Sequence, residues 1–385
     1  MPHISFASNL LWVMVIGLLG PSVPAIVHDL GISYTQAGFL FTLLSLGSLF
    51  GSSLGAIASD YMNRKRILAA FCGLFAGGLI SMGFVPGYVA LGVTVFIVSL
   101  FGSPIGAIGQ SVMLDMFHEQ RPRLMSVQTL FAAVGSFIAP LLVSLNISGG
   151  IPWRGPFLET AGLVLLLMVI VLMTNIPNSS ADRRTRVPLT SIMRNPSIII
   201  ASALVFLTVA VDLGFSYWLA EYFNTELGVS MGLASATVSL YLVGVIAGRL
   251  ATSRLVKWMP TKRILVAGLL VASLSLVGFL FIQSVGAKAA LTCVYGLGVA
   301  PVFPLLVAKA SEEYPQQSGA VTGLLFGCMS LGGMVFPLLL GVLASAFGIR
   351  QSYFLSLSVL VLILLVILVW IRTRKTPGTR ANISS

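Results

Sequence analysis

Residues 43–68, LLSLGSLFGSSLGAIASDYMNRKRIL, and residues 240–265, LYLVGVIAGRLATSRLVKWMPTKRIL, are one pattern written twice. Sliding the chain along itself by 197 residues pairs Leu43 with Leu240, Gly47 with Gly244, Gly51 with Gly248 and Met62 with Met259. The same shift pairs Lys65-Arg66-Ile67-Leu68 with Lys262-Arg263-Ile264-Leu265. Each copy is an apolar run with glycines four apart, followed by a basic turn. Glycines one helical turn apart let a helix backbone approach a neighbour closely. A hydrocarbon core of about 30 Å calls for about 20 apolar residues per helix. A membrane helix and turn repeated at matching places predicts two similar bundles, as in transporters built from repeats. Chance likeness between Leu- and Gly-rich helices is the competing reading, and the shared Lys-Arg-Ile-Leu turn weighs against it.

The composition fits only that kind of chain. Of 385 residues, 57% are hydrophobic and 9% charged, and the mean hydropathy is +1.00. Soluble domains carry about a quarter charged residues, so water is not the main solvent of this chain. The net charge of +11 would suit nucleic acid if the basic residues shared one water-facing surface. Cys72, Cys293 and Cys328 lie in apolar stretches, odd in number and without CxxC spacing, so neither a disulfide framework nor a zinc site is expected.

Intervals between charged residues mark the spans: Ile4–Ile26, Leu30–Ser59, Ile67–Leu114 as two passes broken at Pro86-Gly87, Leu124–Trp153 and Thr160–Ala181. A polar stretch with Asp182, Arg183, Arg184 and Arg186 follows. Then come Ser197–Phe223, Leu227–Gly248, Ile264–Ala287, Ala289–Ala308, Gln316–Ile349 and Gln351–Ile371, for a total of twelve. With both termini inside, 19 of the 22 Lys and Arg fall in inner connections and only Arg154, Lys288 and Arg350 lie outside. That asymmetry is the positive-inside rule, so the basic charge reads as topology and not as a nucleic-acid footprint. The fold predicted is an all-α integral membrane protein with twelve transmembrane helices in two pseudo-symmetric six-helix bundles. Residues 1–175 form the first bundle, 176–196 the cytoplasmic linker, 197–373 the second bundle and 374–385 a cytoplasmic tail.

The loop Ala56-Ile-Ala-Ser-Asp60-Tyr-Met-Asn-Arg64-Lys65-Arg66 resembles the signature loop of the major facilitator superfamily, where a glycine, an aspartate four residues later and a basic pair join the second and third helices. Ala56, Tyr61 and Asn63 depart from that pattern, and Lys257 stands where the second copy would match Asp60. The segment Asp212-Leu-Gly-Phe-Ser-Tyr-Trp218-Leu-Ala-Glu-Tyr222 is similar to the seventh helix of the fucose permease-like branch, a branch of sugar:proton symporters. Gly296-Leu-Gly298 before Phe303-Pro304, Gln128-Thr129, and Gly332-Gly333 before Pro337 add to that likeness, whereas Gln110 and Asp115 depart from it in the fourth helix. In this superfamily the first, fourth, seventh and tenth helices line a central cavity.

Asp212 is the one acidic residue well inside a span, about 22 Å along its helix at 1.5 Å per residue. A charged aspartate there costs about 2.5–3.5 kcal/mol on insertion scales, so it should face a water-filled cavity or a partner. It is the candidate proton-coupling residue; a structural aspartate satisfied by nearby donors is the plainer reading. Ser216 shares its face, while Glu221, nine residues on, points the other way and reads as solvated. Polar residues at helical spacing, Ser5, Ser8, Asn9 and Trp12 in the first helix and Ser99, Ser103, Gly106 and Gln110 in the fourth, either line a cavity or pack helices closely. Asn9, Trp12, Ser103, Gln110, Gln128, Ser216, Trp218, Tyr222 and Tyr295 are the candidate substrate-binding residues: amides, hydroxyls and aromatic faces suit a small polyhydroxylated solute. Asp60, Arg64, Lys65, Asp115 and Glu119 form either a cytoplasmic gate of carboxylate–guanidinium pairs or ordinary headgroup-level charges.

His3, His28 and His118 fall at span ends, and no second carboxylate accompanies Asp212, so no enzyme and no cofactor are expected. The function predicted is secondary active transport of a small polar solute, of the sugar class, by proton-coupled symport. A proton-coupled exporter of drugs or metabolites is the rival. The expected partners are that solute, protons and the lipid bilayer, with no nucleic acid. The expected setting is a monomer in a bacterial inner membrane with both termini cytoplasmic.

Overall fold

The computed structural model describes residues 2–117, 121–176, 196–313 and 318–373, with the backbone alone described at 60, 114, 115, 121, 122, 196, 312, 313, 318–320 and 370–373. The first half is α1 (Pro2–Leu30), α2 (Tyr34–Tyr61), α3 (Arg64–Met82), α4 (Tyr88–Met116), α5 (Arg121–Ser148) and α6 (Gly155–Met173). The second half is α7 (Pro196–Leu227), α8 (Met231–Leu255), α9 (Thr261–Phe281), α10 (Val285–Val299), α11 (Val302–Glu313), α12 (Ser318–Phe347) and α13 (Ile349–Thr373). Among the described residues twelve stretches are long and apolar enough to cross a membrane, α10 and α11 crossing together as Val285–Ser311. The chain is an integral membrane protein.

That tenth crossing reads as one span from sequence but is two helices, because Pro301 has no N–H to donate to the helical ladder and its ring crowds the preceding turn. Local signals set the other ends. Ser33 caps α2 reciprocally with Gln36, and the Asn63 side chain accepts from the Arg66 N–H at the start of α3. Gly31, Gly150, Gly228 and Gly348 have positive φ and turn the chain at one end of the bundle, opposite the linker end, where residues 176 and 196 lie.

The 197-residue shift governs packing as well as sequence. A Cβ on Gly47 would meet the Phe96 carbonyl oxygen at 2.6 Å, and one on Gly244 would strike that of Cys293, the residue 197 positions after Phe96. Gly51 and Gly248 stand likewise against Leu100 and Leu297. The shift extends beyond the quoted segments: Gly17 meets Ala139 and Gly214 meets Phe336, both pairs related by the same offset. Each half therefore repeats the α2–α4 and α1–α5 contacts as α8–α10 and α7–α12. Gly244→Val would drive two methyl groups into the α10 backbone. A loss of about 1–3 kcal/mol from overpacking is expected, seen as a lower unfolding midpoint in detergent.

The halves meet at the end opposite the linker. Gly38 lies against the backbone of Leu338, Gly341 against Tyr34, and the Thr35 N–H and hydroxyl both bond Ser345 Oγ at 2.9 and 3.0 Å. Ser235 donates to the Pro21 carbonyl at 2.7 Å and Ser239 to that of Phe137 at 3.1 Å. Towards the linker end Leu54, Ile57 and Leu250 are exposed.

Two basic residues read as belonging to connections lie elsewhere. Arg249 sits inside α8, and Lys288 sits inside α10, where it is only 3% exposed. The Lys288 ammonium donates to Tyr222 Oη at 2.6 Å and lies 4.7 Å over the Tyr222 ring and 5.0 Å over that of Phe279. Two aromatic faces and a hydroxyl replace part of its hydration, which is why it is tolerated within a helix bundle.

Candidate functional site

A cavity of about 300 Å³ lies between the halves. The first half supplies Ile16 from α1 and Leu44, Ser45 and Ser48 from α2. From the second half, Thr208, Val209, Asp212, Leu213 and Tyr217 place successive turns of α7 along one wall. Val245 and Arg249 of α8, the broken crossing at Val299, Ala300 and Phe303, and Met329, Ser330 and Gly333 of α12 complete it. Repeat symmetry shows here too: Ile16 and Leu213 are 197 residues apart, as are Ser48 and Val245, and each pair faces the cavity from opposite halves.

Asp212 breaks that symmetry, since its counterpart is Val15. Its carboxylate accepts a hydrogen bond from Tyr241 Oη on α8. Two turns further along that helix, Arg249 faces the same space and acts on Asp212 through space, without a direct ion pair. The cavity thus presents a carboxyl group and a guanidinium on one wall, small hydroxyls from Ser45, Ser48, Thr208 and Ser330, and an otherwise apolar surface. Arg249 is exposed, which places the mouth towards the linker end. Tyr241→Phe keeps the ring but removes the donor. A hydrogen bond to a charged group contributes about 1.5–3 kcal/mol, so a fall of about ten- to a hundredfold in transport at limiting solute is expected in reconstituted vesicles.

The other residues singled out from sequence lie outside this cavity. Asn9 donates to the Gln128 carbonyl at 3.3 Å, joining α1 to α5, and Gln128 is itself buried. Trp12 packs edge-on against Phe75 and over Gly102. Ser5 and Ser8 abut Gly109, so the small residues of α1 pack on α4. Ser103 donates to the Ser48 carbonyl at 3.0 Å, and Gln110 to Met125 Sδ at 3.1 Å. Ser216 donates to the Leu213 carbonyl at 3.3 Å and Trp218 Nε1 to that of Pro337 at 2.9 Å. Tyr222 and Tyr295 are buried in an aromatic cluster, Tyr295 stacked on Phe215 at 4.0 Å. Glu221, read as solvated, is only 3% exposed, with the side chains of Thr225 and of Tyr34 at the start of α2 against it. Arg64 is buried at the start of α3 and Lys65 half-buried beside it. The side chains of Asp60 and Asp115, and all of Glu119, lie outside the described residues.

Sequence reasoning missed Tyr241 and Arg249. Their signal was present: Tyr241, Val245 and Arg249 recur every four residues on α8, one stripe of the repeated helix.

Comparison with known proteins agrees with this architecture. The Major Facilitator Superfamily model matches residues 5–326 and 262–384. The uncharacterized MFS-type transporter YfkL of Bacillus subtilis is 20% identical over 91% of this chain and 90% of its own length. The inner membrane transport protein YdhP of Escherichia coli is 24% identical over 93% and 92%. Among solved structures, a bacterial homolog of the human lysosomal transporter Spinster superposes with a TM-score of 0.80 at 15% identity, covering 98% of both chains. A D-xylose-proton symporter does so at 0.76 and 17%, covering 95% and 96%. With twelve crossings in two packed repeats and a family match along nearly its whole length, the chain belongs to the Major Facilitator Superfamily.

Proposed function

We propose that this transporter moves a small polar solute of the sugar class by alternating access, in symport with a proton carried by Asp212. The observation that carries the reading is the cavity itself. It sits where both halves meet, is walled off at one end by inter-half contacts, and holds a carboxylate near a guanidinium. Such a site is reached from one side at a time if residues 1–175 rock against 197–373. In this reading the protein works as a monomer in a bacterial inner membrane, and the linker 176–196 and tail 374–385 are cytoplasmic, as the basic residues at that end favour. The structure is then inward-open, and Asp60, Arg64, Lys65, Asp115 and Glu119 latch the linker end in the opposite state. None of the nine residues expected to bind solute lines the cavity in this state, so the hydroxyls, Asp212 and Arg249 of the cavity wall make the first solute contacts.

A second reading, proton-driven export of apolar molecules, is favoured by the walls of Ile16, Leu44, Val209, Leu213, Val245, Phe303 and Met329. Proteoliposomes separate the two. Accumulation of a radiolabelled sugar under an imposed proton gradient, with no dye efflux, supports symport; gradient-driven dye efflux without sugar uptake removes it in favour of export.

A further inference from the structure

Nine residues after Asp212, on the other face of α7, Glu221 lies in the seam that closes the end opposite the linker. Its surroundings are those of the seal. Trp218, one turn before it, packs edge-on to Tyr34 at 5.7 Å and to Phe41 at 6.1 Å, both from the first half. The Trp218 indole N–H is held by the Pro337 carbonyl of α12. The phenol of Tyr34 lies beside Glu221 and Thr225 and interacts with both, so the carboxyl is covered from the opposite half.

Within that seam Glu221 Oε1 accepts from the Thr225 hydroxyl at 2.8 Å, whereas the buried Oε2 has no hydrogen bond of ordinary geometry. Among the described residues no cation pairs with it. On α7 its other charged neighbour is Glu226, and α2 contributes Tyr34. From α10 and α13, Lys288 and Arg350 act on Tyr222 and on each other. On α1, Asp29 is engaged by Arg154 and Trp153, next to His28. Over Phe336–Phe347, α12 brings no titratable side chain.

A buried carboxylate with an unfilled oxygen and no counter-charge is costly, whereas a neutral carboxyl carries its own O–H, which the Tyr34 phenol oxygen can accept. When the halves part at this end, Tyr34 leaves with the first half and water reaches Glu221. We propose that Glu221 is a second proton-binding carboxyl, placed at the seal and not in the solute cavity, and that its neutral form is what allows the seal to close. The proton adds to a carboxylate oxygen as the seam forms and returns to water as it opens, so closure at this end draws on protons from that side. This rests on the alternating-access reading above, but it does not depend on Asp212 or on the identity of the solute.

The test is a distance measurement by double electron–electron resonance on reconstituted protein. Spin labels go on Ile151→Cys and Gln283→Cys, exposed positions of opposite halves at this end, with Cys72, Cys293 and Cys328 replaced by alanine. In the otherwise native chain the short-distance population should fall as pH rises from about 5 to 9, a range spanning shifted carboxyls. In Glu221→Gln, which stays neutral, the short distance should persist and the pH response should be lost. Glu226→Gln, which removes an exposed carboxyl five residues further along α7, should keep the response. An equal pH response in Glu221→Gln, or none in the native chain, overturns the proposal. Absence of sugar uptake, with a response that still vanishes in Glu221→Gln, would remove the sugar-symport reading and leave alternating access and this proposal standing.

Discussion

Asp212→Asn is expected to abolish accumulation of solute against a gradient in proteoliposomes while leaving solute exchange intact. Among the described residues Asp212 is the carboxylate that lines the cavity. Asparagine keeps its size, and its amide oxygen still accepts from Tyr241 Oη, so the wall stays assembled. What disappears is the change of charge. One pH unit across the membrane is worth about 1.4 kcal/mol per proton, which drives about tenfold accumulation when one proton is coupled to one solute. The variant should accumulate none of that excess, whatever gradient is imposed, yet labelled solute should still exchange for unlabelled. Unchanged accumulation would exclude Asp212 from the coupling step.

Gly341→Val should produce the other large effect, on the conformational equilibrium. A Cβ at this position meets the Tyr34 carbonyl oxygen at 2.5 Å and Trp218 Cζ2 at 2.9 Å. The first contact is main chain of the opposite half and cannot turn aside, so α2 and α12 must separate. Overpacking of this kind costs about 1–3 kcal/mol, and here only the closed seal bears the cost, so the open-to-closed ratio should rise about five- to 150-fold. Ser45 lines the cavity behind the seal. A Ser45→Cys thiol should therefore become reactive to a membrane-impermeant reagent added on the sealed side. Gly323→Val is the control on the same helix, because nothing lies within 4 Å of a Cβ there. Equal reactivity in the two variants would show that the α2–α12 contact does not govern access.

The two expectations draw on different kinds of information. Asp212 stood out from sequence because a charge in an apolar run is costly in lipid wherever the rest of the protein lies. Gly47 and Gly244 stood out because they recur at a fixed shift, and their close contacts with α4 and α10 follow from that periodicity. Glu221 was misread as solvated and Lys288 as part of a connection, because distance along the chain from a span's end says nothing of what covers a residue. Glu221 is covered by Tyr34 of the opposite half, and Lys288 by rings from α7 and α9. Trp218 and Tyr222, one turn apart on α7, and Tyr295 on α10 are polar-tipped aromatics, a pattern shared by cavity walls and packed cores.

The sequence by itself determined the number of crossings, their duplication and the position of the acid that faces the cavity. Transfer into lipid and helical periodicity are local properties, summed over about 20 residues at a time. The tertiary structure alone decided that Tyr241 and Arg249 share a wall with Asp212 and that Glu221 is shut inside a seam. Those facts depend on how two rigid halves lean together, and that angle is set by long-range contacts such as Tyr34 on Gly341 and Thr35 on Ser345, about 300 residues apart.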